Sequence, residues 1–484
     1  MNGITSQEKK STSLFRAIAG AASSDAFSRA QAAAHEKPVR ASSGMFVMKH
    51  VNRRQFLANG TLATGALLLT SRLTLASTAR SSSRFVFIIL RGALDGLTAV
   101  PPYGDPDYAR LRGELALAPP GSAGGALKLD DTFGLHPNLT FLGDSYEARE
   151  LVVFHAIASP YRERSHFDGQ DVLENGYARP HAAQTGWLNR ALAALPADRS
   201  GSRKELGVAL GQNVPLVMRG AAPVASWSPS RLAALDEDTL ERIADLYAKD
   251  PLLSKRLADA LAADAIASEA QRVTLSPDRE EAMASPASAP ASQDTAPEQP
   301  EMLAKRDKAA KLGGARYVEV IRAAARFLRR EDGAQIAMFD ATGWDTHANE
   351  GAAKGQLGAR LAALDAGLRT LKEQLGPVWK DTAVLIATEF GRTAATNGTR
   401  GTDHGTGAAA FLLGGAVRGG RVIADWPGLS ARALYQSRDL NPTMDIRSVL
   451  KGVLSEHLQV PSAALEGSVF PDSKAARLLT GVMG

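Results

Sequence analysis

A chain of 484 residues that is 44% hydrophobic and 22% charged has room for one large α/β domain or two smaller ones, and this composition excludes a membrane bundle and a chain disordered throughout. Its net charge of +5 arises in the first 79 residues, where ten Lys and Arg face three Asp and Glu; that surplus of seven leaves −2 on the remainder, so no basic face for nucleic acid is expected. There is no cysteine, which excludes disulfides, thiolate metal sites and a Cys nucleophile and leaves any metal to imidazole and carboxylate ligands.

Near the N-terminus, Asn52-Arg53-Arg54-Gln55-Phe56-Leu57 resembles a twin-arginine export signal. An apolar stretch from Ala58 to Leu75 follows it, and small residues close it at Leu75-Ala76-Ser77-Thr78-Ala79. Gly60, Gly65 and Arg72 interrupt the run, leaving fewer uncharged residues than the ~20 that span a bilayer, so cleavage and no retained membrane span are expected. Residues 1–47 are polar and unlike the front of a signal peptide, which makes Met48 or Met45 the expected start and 48–79 the expected leader. Such a leader implies the twin-arginine translocase as partner during export, and the periplasm or extracellular space as destination.

Beyond the leader, four short apolar runs closed by turn signals predict buried strands at Phe85–Leu90, Leu151–Ile157, Gln335–Phe339 and Thr382–Thr388. Helical periodicity runs from Ala310 to Leu328, and again from Gln356 to Leu375 through Leu357, Leu361, Leu364, Leu368 and Leu371. Buried strands alternating with long helices predict an α/β fold with a mostly parallel central sheet sandwiched by helices. Residues 275–300 are rich in Pro, Ala and Ser with few large apolar side chains, and predict a disordered insertion in a domain spanning 80–484.

Ligands of an open parallel sheet bind beyond the carboxyl ends of its strands, where this chain concentrates its ionisable residues. The first strand runs into Arg91-Gly92-Ala93-Leu94-Asp95-Gly96, and the second into Arg162, Arg164, Ser165, His166 and Asp168. The third is followed by Asp340 and Gly343-Trp344-Asp345-Thr346-His347, and the fourth by Glu389-Phe390-Gly391-Arg392 and Thr402-Asp403-His404-Gly405. If the four strands are parallel neighbours, these acids and imidazoles converge on one rim as a site suited to Zn²⁺ or Mn²⁺. A metal there acts as a Lewis acid on an ester oxygen or lowers the pKa of bound water. Blander roles compete: Asp95-Gly96 suits a turn, Ser165 and Asp168 have capping-box spacing, Asp345 and His347 suit a structural pair, and Asp403-His404 a loop brace. His136, His155, His181 and His457 are expected to be structural.

Taken in order behind the leader, Arg91-Gly92-Ala93-Leu94-Asp95-Gly96-Leu97, Ser165-His166-Phe167-Asp168, Gly343-Trp344-Asp345-Thr346-His347, Thr388-Glu389-Phe390-Gly391-Arg392-Thr393 and Asp403-His404-Gly405 resemble a large, mostly twin-arginine-exported bacterial family of unknown function in the alkaline phosphatase and sulfatase superfamily. The resemblance implies an alkaline-phosphatase-like fold with a one- or two-metal centre. Asp95, Asp345, His347, Glu389, Asp403 and His404 would supply it, and Ser165 would stand at the nucleophile position. Phe390 departs from the superfamily's usual Asp-His pair, and no residue shows the thiol or serine context of sulfatases that make formylglycine. The implied activity is hydrolysis of a phosphate or sulfate ester in the envelope, with Arg91 and Arg392 on the anion; the alternative is a non-catalytic envelope protein that keeps the fold for binding.

Overall fold

Strand β1, Arg84–Arg91, is buried along almost its whole length because its alternating side chains enter two different cores. Phe85, Phe87 and Ile89 pack with Val152, Phe154, Met338 and Leu385 on one face of the sheet, whereas Val86, Ile88 and Leu90 pack with Phe339, Val384 and Ile386 on the other. A strand apolar on both faces belongs in the middle of a covered sheet, and β1 lies there. These contacts come from a computed structural model that describes residues 83–196, 205–229, 237–247, 250–268 and 317–484, all within the unit Arg80–Gly484. The expected extension at 1–47, the leader at 48–79 and the insertion at 275–300 lie outside the described residues.

The other expected strands are β2 (Leu151–Ala158), β5 (Ile336–Thr342) and β6 (Thr382–Ala387). Five more complete the sheet: β3 (Gly207–Leu210), β4 (Val224–Trp227), β7 (Ala408–Leu413), β8 (Arg421–Ile423) and β9 (Met444–Asp445). Their order is β8-β2-β7-β6-β1-β5-β3-β4, with β9 also on β2. Every pairing is parallel except the two made by β7. The sheet is therefore mixed and mostly parallel. β6, β1 and β5 are parallel neighbours as expected, but β2 is not adjacent to them: β7 lies between β6 and β2, antiparallel to both. Two reversals restore direction, so the carboxyl ends of β2, β6, β1 and β5 still share one rim.

Helices cover both faces. On one, α1 (Thr140–Glu147), α6 (residues 317–329) and α7 (Gln356–Leu375) enclose the core around Val86 and Ile88. All five leucines that predicted α7 are buried, and its Asp365 turns back to accept the Phe141 and Leu142 amides at the start of α1, at 2.9 and 3.0 Å. On the other face lie α3 (Trp187–Ala193) and α8 (Ile446–Glu456). The rim adds α2, His166–Asn175, and the pair α4 (Glu237–Tyr247) and α5 (Pro251–Ser268) follows β4 in the chain. Among the described residues no helix is long and apolar enough to cross a membrane.

Candidate metal centre

Four rim segments bring their side chains together. The 343–347 segment leaves β5 through Gly343 and passes over the end of β1, where Trp344 N donates to Arg91 O at 3.3 Å. Gly92 has a positive φ of 118°, and a Cβ there would lie 2.6 Å from Asp345 N, so glycine is required for this approach. The chain between β6 and β7 stays on the rim as a tight double strand: Gly391 N bonds Thr406 O at 3.0 Å, Thr393 N bonds Asp403 O at 2.9 Å, and Arg392 faces His404 across an antiparallel bridge. From the other side, α2 presents His166 in its first turn.

The result is a cluster of imidazoles around one carboxylate. Nε2 of His347 lies 3.0 Å from Nε2 of His404, and these atoms lie 3.0 and 3.3 Å from Asp345 Oδ1. His166 Nε2 is 3.5 Å from Asp345 Oδ2 and has no hydrogen-bond partner although it is buried. His166, Asp345 and His404 each offer a ligand atom within 4.8 Å of the others. Ligand atoms on one tetrahedral ion, with bonds of about 2.0–2.1 Å, stand roughly 3.3 Å apart.

Outer partners fix how the rings are protonated. His166 Nδ1 meets Glu389 Oε1 at 2.8 Å, His347 Nδ1 meets Asp403 Oδ1 at 3.3 Å, and His404 Nδ1 meets the Arg164 carbonyl at 2.9 Å. Carboxylate and carbonyl oxygens only accept, so each Nδ1 is the donor of its pair, and Nε2 of each ring faces Asp345. The hydrogen bond and charge of Glu389 raise the His166 pKa, whereas burial, then the neighbouring His166, lowers that of His404. Burial pushes Asp345 upward, but the hydrogen bond and charge of Arg392 hold its carboxyl below the usual range.

Several residues expected at the centre serve it from outside or not at all. Glu389, fully buried, is no ligand in this arrangement: its Oε1 also accepts from Gly92 N at 2.9 Å and Gln170 Nε2 at 3.0 Å, and it orients His166. Asp403 orients His347 and accepts from Asn397 Nδ2 at 3.0 Å. Asp95 faces away, capping the turn Gly96–Ala99 through Leu97 N and Thr98 N and pairing with buried Arg112 at 2.6 Å. Arg112 is shared with Glu350, whose carboxyl is pushed up to about 8 by burial and by the charge of Asp95. Arg91 is paired with Glu174 at 2.8 Å and Asp340 at 2.9 Å, and Arg392 with Asp345 at 2.5 Å, so neither guanidinium is left for an anionic substrate. Ser165 occupies the N-cap position of α2, but its side chain makes no capping bond, and Asp168 lies instead near the Tyr161 hydroxyl and His181.

His166, expected on the rim but not among the ligands, belongs to the cluster. Its signal was the position itself, the start of a helix after a buried strand. Phe390 stacks on His166 with centroids 5.1 Å apart and lies tilted against His404 at 5.4 Å, packing against both rings. Of the histidines expected to be structural, His136, His155 and His457 bond backbone carbonyls, and His181 pairs with Asp168 and Asp171.

A family model described as protein of unknown function, DUF1501, matches residues 151–467. The chain belongs to the DUF1501 family. The matched segment contains His166, Asp345, His347, Glu389, Asp403 and His404, the whole cluster with its orienting carboxylates, whereas Asp95 precedes it. No curated protein matches this DUF1501 chain.

Proposed function

We propose that this DUF1501 protein is an exported metal-dependent hydrolase, with an alkaline-phosphatase-like fold, acting on a phosphate or sulfate ester. The observation that carries the proposal is the set of three imidazoles whose Nδ1 atoms are committed to acceptors, leaving three Nε2 atoms around Asp345. Nitrogen and carboxylate donors without thiolate suit Zn²⁺ or Mn²⁺. Asp345, His347 and His404 would hold the ion, with His166 closing the site. When bound, the ion would supply Lewis acidity toward an ester oxygen. Glu389, Asp403 and the Arg164 carbonyl keep the rings in one tautomer, and Arg392 anchors Asp345 from behind. Ser165, whose hydroxyl is not spent on capping, adjoins His166 at the N-terminus of a ten-residue helix and is the proposed nucleophile.

Elemental analysis of the purified protein, with a screen of aryl phosphate and sulfate esters, tests this. Stoichiometric Zn or Mn lost in both Asp345→Ala and His404→Ala, with ester hydrolysis lost in parallel and in Ser165→Ala, is the expected result. A folded protein that takes up no metal would overturn it. That outcome would favour a non-catalytic envelope binding protein, a reading supported by the Arg392 guanidinium, an internal cation only 2.5 Å from Asp345 Oδ1. Export rests on Arg53-Arg54, and replacing both by Lys should leave the precursor in the cytoplasm.

A further inference from the structure

Arg91, Arg112, Arg164 and Arg392 each hold an acid, at 2.8, 2.6, 2.7 and 2.5 Å. Arg360, in the second turn of α7, holds none among the described residues. Its Nη1 and Nη2 share the Oε1 of Gln356, one turn back, at 3.4 Å each, and its Nε makes no hydrogen bond while staying open to solvent. Those two contacts are long for hydrogen bonds, so most of the donor capacity of the guanidinium is uncommitted. Burial lowers its pKa and no carboxylate opposes that, as befits a partly desolvated cation without a counter-charge.

Its position relates it to the imidazole cluster. From Gly343 to His347 the burial alternates: Trp344 and Thr346 are buried, whereas Gly343, Asp345 and His347 are exposed, so these three turn to one side of an extended segment. A Cβ on Gly343 would lie 3.2 Å from Arg360 Nε, which puts the guanidinium over the one position of that side that bears no side chain. Residues two apart in an extended segment are separated by about 6.6 Å. Arg360 therefore stands roughly one such step from Asp345, on the open side of the segment that carries both Asp345 and His347. Hydrogen bonds of about 2.7–2.9 Å from the guanidinium would bring an oxyanion alongside the cluster.

We propose that Arg360 is the anion-recognition residue of the site, donating to the non-bridging oxygens of a phosphate or sulfate ester seated at the cluster. This takes up the task for which Arg91 and Arg392 are not free, and it selects charged esters over neutral ones. The inference rests on the reading of the cluster as the centre of an ester hydrolase. Gly343 serves it by leaving the guanidinium uncovered, and Gln356 by holding it in place from within α7.

Calorimetry of inorganic phosphate binding to the purified full-length protein, zinc-loaded and zinc-free, tests it. Arg360→Gln should weaken phosphate by about 10–100-fold, the worth of hydrogen bonds to a charged group, with zinc stoichiometry and melting temperature unchanged. Arg360→Lys, which keeps the charge but not the planar fork, should lose less. Equal phosphate affinity in the wild type and Arg360→Gln, or no phosphate binding in either zinc state, would overturn the assignment. So would an Arg360→Gln protein that loses zinc or thermal stability along with phosphate, since that marks a structural role. A protein that takes up no zinc would overturn the hydrolase reading instead, and phosphate bound there through Arg360 would still support the part given to the guanidinium.

Discussion

Asp95 and Glu389 are both buried acids at the end of central strands, and only their partners separate their roles. Glu389 orients a ring of the cluster, so Glu389→Gln should weaken metal affinity by about 10–100-fold with little loss of stability, as a metal-binding isotherm beside a denaturation curve would record. Asp95→Asn should do the reverse: metal stoichiometry unchanged, and a loss of about 3–5 kcal/mol in urea denaturation because fully buried Arg112 is left without its closest acid. His155 makes a third case. Its Nε2 donates to Val100 O at 3.0 Å, its Nδ1 accepts the Ala156 amide at 2.8 Å, and burial lowers its pKa from 6.5 to about 4. The native state resists a proton that the unfolded chain accepts, so this contribution is complete above pH 6.5 and is lost as pH falls toward 4, by about 3 kcal/mol at the lower end. Denaturation curves at pH 7, 5.5 and 4.5 should show the decline, and His155→Gln, which can both donate and accept, should flatten it. Asp345, His347 and His404 stood out in the sequence because each follows a buried strand or a glycine turn. Asp95 misled because its decisive partner, Arg112, lies seventeen residues on in a segment with no motif.

At the scale of elements, the long apolar runs were readable because a strand buried on both faces must be apolar throughout, and their observed ends fall within a few residues of expectation. β7 was not: three alanines at its start are weak strand formers, and glycines flank it. β3, β4, β8 and β9 are short and lie at or near the sheet's edges, where periodicity has too few residues to register. The missed β7 changed the expected neighbours without moving the site, because two antiparallel pairings cancel. Gly92 links element to site most directly. Gly92→Ala puts a methyl group against Asp345 N at a positive φ, and should cost about 1–3 kcal/mol and lower metal affinity even though the residue touches no ligand side chain. Parallel metal titration and thermal melts would measure both effects.

For the molecule as a whole, the centre joins segments distant in sequence: His166, the Asp345–His347 segment and His404. An ion bound by the folded state alone adds stability by mass action, about 2.7 kcal/mol at a hundredfold excess over its dissociation constant. Chelation should therefore lower the melting temperature of the purified protein, and His347→Ala should remove most of that sensitivity. Because β7 returns antiparallel, the twenty residues from Thr388 to Gly407 never cross a face of the sheet, unlike the helical connection that a parallel strand requires. This detour carries Glu389, Phe390, Arg392, Asp403 and His404 yet roofs neither core. It is a cassette: a graft that preserved its two strand junctions could replace half the chemistry at the rim while leaving the scaffold's layers intact.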